Sequence, residues 1–162
     1  LTAALATIKE NNDIQFIWQT GKYYYPQVTE AVRTAGELPN LYVTDFIKDM
    51  AAAYAASDLV ISRAGAGSIS EFCLLHKPVV LVPSPNVAED HQTKNALALV
   101  DKQAAIYVKD SEAEAKLMDV ALNTVADDRK LKELSENIAK LALPDSARII
   151  AQEVIKLAEA EN

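Results

Sequence analysis

One cysteine, four glycines, two histidines and one tryptophan are all that the 162 residues hold of those types. The lone Cys73 excludes an intrachain disulfide, which suits a reducing compartment. Its apolar neighbours predict a small buried hydrophobe. No spaced His/Cys/Asp cluster and no Asp-x-Asp pair offers a metal site. A Gly-x-Ser-x-Gly elbow and a credible Cys–His pairing are missing too, so no covalent nucleophile is in view. Apolar runs all stop well short of the roughly 20 residues of a spanning helix. The first residues lack the basic segment and apolar stretch of a signal peptide. Basic charge is also scarce, with 16 Lys and Arg against 23 Asp and Glu, a net charge of −7. That balance argues against a nucleic-acid partner, because phosphate neutralisation needs clustered cations. It leaves room for a small anion pocket, which backbone N–H groups and one helix dipole can build. The chain opens without an initiator Met and at once in a helix-like stretch, so we expect a piece of a longer protein.

Half the residues are hydrophobic and 24% are charged, ordinary for a globular chain of about one domain. Two periods alternate along it. Helical spacing covers residues 1–10, 26–35, 50–56, 68–75 and 91–101. Short β-type runs cover residues 14–19, 41–43, 59–62, 79–82 and 104–108. Several of these strands are apolar throughout, as strands are when helices cover both faces of a parallel sheet. The expected fold is therefore a doubly wound α/β domain. After residue 108 three helices are expected in succession, over 112–125, 128–141 and 146–161. Pro144 separates the last two, and Asp145 or Ser146 can cap the third. In such a sheet ligands bind outside the carboxyl ends of the strands. The informative stretches are then 19–22, 44–49, 63–71 and 83–95.

The third of these reads Arg63-Ala64-Gly65-Ala66-Gly67-Ser68-Ile69-Ser70-Glu71. It is not a dinucleotide fingerprint, since the third glycine is replaced by Ser70, and it is not a Gly-Lys-Ser/Thr phosphate loop. Gly65 and Gly67 permit close backbone approach and positive φ, and Ser68 and Ser70 add hydroxyl donors. A helix starting here offers unpaired N–H groups to an anion. Glu71 is expected in its first turn. There it either accepts from neutral hydroxyls, a ribose diol being one fit, or complements the helix dipole. The fourth stretch leads into a helix carrying Asp90, His91, Gln92 and Asn95. Gln92 and Asn95 are three apart and share one face. Their amides suit a sugar with several hydroxyls. The alternative is an Asp90 N-cap with a solvated polar face. His91 without a visible partner reads as a surface or capping residue, and His76 as a partner for the helix C-terminus. Tyr23, Tyr24 and Tyr25 read as packing or surface residues beside Pro26.

Three ordered motifs carry a family resemblance: Asp45-Phe46-Ile47 with Asp49-Met50, Arg63 through Glu71, and Asp90-His91-Gln92 with Asn95-Ala96. With them, residues 15 to the C-terminus resemble the second half of the MurG family. These bacterial transferases move N-acetylglucosamine (GlcNAc) from UDP-GlcNAc to undecaprenyl-pyrophosphoryl-MurNAc-pentapeptide (lipid I), giving lipid II for peptidoglycan synthesis. The resemblance implies a GT-B architecture of two Rossmann-like domains, of which residues 1–162 are the UDP-sugar donor-binding one. It implies that the Ile47 backbone reads the uracil edge and that Ala66, Gly67, Ser68, Ile69 and Ser70 cradle the pyrophosphate. Glu71 then holds the ribose hydroxyls, Gln92 with His91 and Asn95 contacts the GlcNAc, and Arg63 and Gly65 line the loop. Gly67 departs from the bulkier aliphatic residue of many members.

The same resemblance places the acceptor domain, the general base, the membrane contact and the first strand and glycine-rich turn of this domain outside the chain. It implies an inverting enzyme at the cytoplasmic face of the bacterial plasma membrane, with no tightly bound cofactor. This chain alone is expected to be soluble and inactive. Rival readings are a diacylglycerol glycosyltransferase, a UDP-GlcNAc 2-epimerase and a non-catalytic α/β binding module.

Overall fold

The two sequence periods become helices and strands in the computed structural model, which describes residues 2–86 and 90–160. In chain order these are α1 (Thr2–Glu10), β1 (Phe16–Gln19), α2 (Gly21–Ala35), β2 (Leu41–Thr44), α3 (Met50–Ala56) and β3 (Val60–Ser62). There follow α4 (Ala66–Leu75), β4 (Val79–Leu81), α5 (His91–Val100) and β5 (Ile106–Tyr107), then α6 (Asp110–Val125), α7 (Asp128–Ala139) and α8 (Ser146–Ala160). Every strand pairing is parallel. β1 runs beside β2 with Phe16 opposite Leu41. β4 lies between β3 and β5, with Val60 opposite Val79 and Leu81 opposite Tyr107. The doubly wound sheet is present in two pieces, β1–β2 and β3–β4–β5.

Side-chain alternation along β4 assigns the helix layers. Val79 and Leu81 point to one face, where Phe72 and Cys73 of α4, Ala96 and Leu99 of α5 and Ile138 of α7 bury them. Val80 points to the other face with Val82 and Val108, under Ala113, Leu117 and Val120 of α6. Successive residues of a strand face opposite sides, so a strand apolar at every position must be covered twice. The β1–β2 piece has its cover on the α6 side. There Phe16, Trp18 and Leu41 pack with Leu5 and Ile8 of α1, with Ala31, Val32 and Ala35 of α2, and with Met118 of α6. One helix, α6, thus packs beneath both pieces of sheet. Ile17 of β1 and Ile61 of β3, each on a strand paired on one side only, stay 48% and 44% exposed.

Several boundaries differ from the sequence reading: β1 starts at Phe16 rather than 14, β5 is only Ile106–Tyr107, α6 starts at Asp110 rather than 112 and α7 ends at Ala139 rather than 141, and two further helix starts move more of the chain. α2 begins at Gly21 and takes Pro26 inside it. A proline there cannot donate to the carbonyl one turn back. Residues 22–27 are all exposed, so water can serve that carbonyl. The three tyrosines lie on this exposed turn, with Tyr23 and Tyr24 edge to face at 4.9 Å. α4 begins two residues early, at Ala66, which shifts every residue of the glycine turn by half a helical turn. Cys73 is buried as expected, and burial pushes its thiol up. His76 closes α4 in the left-handed region, with φ of 54°. Residues 1, 87–89 and 161 of the expected segments lie outside the described residues.

Phe72→Ala should lower the unfolding free energy by about 3–5 kcal/mol in a urea titration, because it empties the centre of the larger core. Ile61→Ser at the half-exposed strand edge should shift it by no more than about 0.5–1 kcal/mol.

Candidate functional site

The turn from β3 to α4 uses Gly65 as N-cap at φ −69°, ψ 140°, so the first helical bond is Ile69 N–H to Gly65 O at 3.0 Å. Helix geometry then leaves the N–H groups of Ala66, Gly67 and Ser68 without an acceptor in the helix. No side chain caps this end, whereas Asp49 and Asp127 cap α3 and α7. The positive φ expected of the glycines is not used, since only Gly21 and Gly36 among the glycines adopt it. What Gly65 and Gly67 provide is space. A Cβ on either would meet nothing within 4 Å. The N-terminus of α4 therefore combines free donors with an open approach, the two requirements of an anion site.

The shift in helix start corrects the placement of Glu71. Glu71 is the sixth residue of α4, and the first turn holds no acidic residue. It therefore cannot serve as the first-turn dipole partner. Its Oε2 instead accepts a hydrogen bond from the Tyr54 hydroxyl of α3 at 3.0 Å. Burial first, and then that bond and the Glu71 charge, push the Tyr54 phenol up to about 12. Ser70 turns its hydroxyl back onto its own helix, donating to Ala66 O at 3.0 Å, so it offers no free proton to a ligand in this arrangement. Ile69 is half-buried and packs against the core, leaving its backbone as the part near the turn.

The second wall comes from α5. Asp90 precedes it at φ 55° and makes no side-chain cap, so the capping role expected of this residue is not the one found. Gln92 is not on a solvated face either. Its Oε1 accepts from Ala64 N–H at 3.2 Å and from Ser84 N–H at 2.9 Å. Asn95 Nδ2 donates to Ala64 O at 3.1 Å. The two amides, one turn apart, staple the β3 and β4 loops together through the fully buried Ala64. That use occupies the Gln92 oxygen, while its amide hydrogens make no bond among the described residues. His91 is exposed at the start of the same helix.

Arg63 also works on the protein. Its guanidinium donates to Val82 O at 3.2 Å and Pro83 O at 3.3 Å, and it pairs with Asp110 at the start of α6. The chain ends of β3, β4 and β5 are thereby tied by one cation. Ile47, in the loop after β2, donates its N–H to Gln19 Oε1 at 2.8 Å. A ligand carbonyl reading that N–H would have to replace the Gln19 amide. Among the described residues, no group of His, Cys, Asp and Glu could hold a metal ion. Sequence reasoning missed Tyr54 and Asp110, and placed Gln19 and Ser84 in informative stretches without giving either a role. Tyr54 carried a signal as one aromatic hydroxyl in the otherwise alanine-rich helix Met50–Ala56.

Parallel strands with helices on both faces, and the uncapped N-terminus of α4 at the carboxyl end of β3, define a Rossmann-like domain. The chain belongs to the glycosyltransferase family 28 C-terminal domain, whose family model matches residues 2–150. It is 99% identical over its whole length to the UDP-N-acetylglucosamine–N-acetylmuramyl-(pentapeptide) pyrophosphoryl-undecaprenol N-acetylglucosamine transferase of Bacteroides thetaiotaomicron, covering 44% of that protein. The transferase of the same name from Flavobacterium psychrophilum is 44% identical over 93% of the chain and 40% of its own length. Among solved structures, MurG of Acinetobacter baumannii superposes with a TM-score of 0.78 at 26% identity, over 96% of this chain and 49% of that one. The chain thus spans less than half the length of these relatives. The fold expectation of a Rossmann-like GT-B C-terminal domain is met.

Gln92→Ala should cost about 1–3 kcal/mol in chemical denaturation, since it strips the acceptor from two loop N–H groups. Gly65→Ala should leave stability within about 0.5 kcal/mol of the parent, as its Cβ enters open space at an ordinary φ.

Proposed function

We propose that this chain is the donor-binding half of an inverting glycosyltransferase that moves GlcNAc from UDP-GlcNAc to lipid I, forming lipid II. The observation that carries the reading is α4 itself. It has an uncapped N-terminus beside two glycines with open Cβ positions, and a carboxylate one turn further along. The pyrophosphate meets the N–H groups from Ala66 to Ser68, and Glu71 accepts from the ribose hydroxyls. Uracil is read at the Ile47 backbone after Gln19 yields its N–H. The GlcNAc lies against α5, where the Gln92 amide hydrogens are available and His91 and Asn95 stand near. Arg63 and Gly65 act by shaping the loop.

In the reaction the acceptor's 4-hydroxyl attacks the anomeric carbon as the bond to the UDP oxygen breaks. UDP departs as an anion, and the helix N-terminus stabilises its charge. The hydroxyl's proton goes to a base supplied by the other half of the transferase. That half also holds lipid I and attaches the enzyme to the cytoplasmic face of the plasma membrane. Among the described residues no helix is long and apolar enough to cross a membrane.

The same reading makes residues 1–162 one domain that lacks its first strand. β1 and β3 each have one unpaired edge, and α6 packs beneath both pieces of sheet. A strand entering parallel between them, followed by α1, completes the order 3-2-1-4-5-6 of a dinucleotide-type sheet with right-handed crossovers.

Calorimetric titration with UDP-GlcNAc is the direct test. Binding that exceeds binding of UDP-galactose and is lost in Glu71→Ala is expected, and no binding would overturn the reading. No lipid II should form from this chain alone, and its formation would remove the need for a second half. Extending the chain upstream by the sequence of the Bacteroides thetaiotaomicron relative should slow amide exchange along β1 and β3. Unchanged exchange there would count against the missing strand.

A further inference from the structure

Glu71 projects from the exposed side of α4, and Tyr54 is the one side chain hydrogen-bonded to it among the described residues. The tyrosine itself has little freedom. Its ring stands edge-on to Phe72 at 5.8 Å and 86°, and Phe72 is fully buried. Its carbonyl accepts from Ser57 N–H at 3.3 Å and from the Ser57 hydroxyl at 3.1 Å. Ser57 O in turn accepts from Lys77 Nζ, at 2.8 Å, just beyond the end of α4. α3 is thereby anchored to α4 at both its side chain and its last turn. The other end of α3 is capped by Asp49, two residues after Ile47.

We propose that Tyr54 is a positioning residue for nucleotide recognition. Its hydroxyl holds Oε2 of Glu71 so that the carboxylate presents its other acceptor sites to the vicinal hydroxyls of a ribose. Through α3 it also fixes the spacing between that carboxylate and the base-side loop at Ile47. This inference rests on the donor-site reading above. An ionised carboxylate has about four acceptor positions, so one bond from Tyr54 leaves enough for two ribose hydroxyls. An unanchored glutamate on an exposed helix face would lose its rotamer freedom on binding, and the tyrosine has already removed it. A phenol at about 12 keeps its proton through the neutral range and stays a donor.

The experiment is a thermodynamic cycle of Tyr54→Phe, Glu71→Ala and the double variant, titrated with UDP and with 2′,3′-dideoxy-UDP. Phenylalanine keeps the ring against Phe72, so circular dichroism and the melting temperature should match the parent. Tyr54→Phe should weaken UDP binding by about threefold to tenfold, the range of one hydrogen bond. It should leave dideoxy-UDP unchanged and add nothing in the Glu71→Ala background. Equal loss on both nucleotides, or losses that add, would overturn the inference and leave Tyr54 a packing residue. A parent chain that binds neither nucleotide, or both equally, would overturn the donor-site reading itself and this inference with it.

Discussion

Val79, Val80 and Leu81 are sealed on both faces, and the rest of the domain is arranged around that constraint. Alternating side chains on a strand cannot both be dry unless helices lie on both sides of the sheet. α4, α5 and α7 therefore occupy one face and α6 the other. Because β3, β4 and β5 are parallel and connected by α4 and α5, their carboxyl ends all emerge at one edge. The loops that leave that edge bring several backbones together outside the core.

Convergence has to be enforced, because loops carry no ladder of their own. Here polar side chains do it. Gln92 and Asn95 grip the two sides of Ala64, and Arg63 gathers the ends of β4 and α6. Burying Ala64 beneath the turn leaves its N–H and C=O away from water, so each needs an acceptor or donor from the protein. The amides of α5 satisfy both. Gln92 thus holds the loops after β3 and β4 together through its oxygen alone.

Much of this was legible in residue order. The apolar run at 79–82 became a fully buried parallel strand and that at 59–62 a half-covered one, and Gly65 with Gly67 marked the turn into α4. The helix expected over 50–56 is α3, capped by Asp49, which accepts from Ala52 N–H. What misled was the placement of caps. A serine-rich stretch after glycine suggested that α4 begins at Ser68, yet the helix starts at Ala66, where Gly65 already has extended dihedrals. That two-residue difference carried Glu71 out of the first turn and into reach of Tyr54. Asp90 looked like an N-cap by residue type. Its left-handed backbone instead accompanies an aspartate that makes no cap bond.

The sequence by itself determined the fold class, the strand–helix order and the two-sided burial of β4. These follow from local periodicity and from where glycine and proline can sit, which need no knowledge of distant neighbours. The tertiary structure alone decided which polar atoms are spent and which are free. Tyr54 meets Glu71 across 17 residues, Gln92 meets Ala64 across 28, Gln19 meets Ile47 across 28 and Arg63 meets Asp110 across 47. No residue period spans such separations. They arise because right-handed crossovers bring the ends of parallel strands to one edge, and hydrogen bonds form there between whichever side chains the packing of the helices leaves within 3 Å or so.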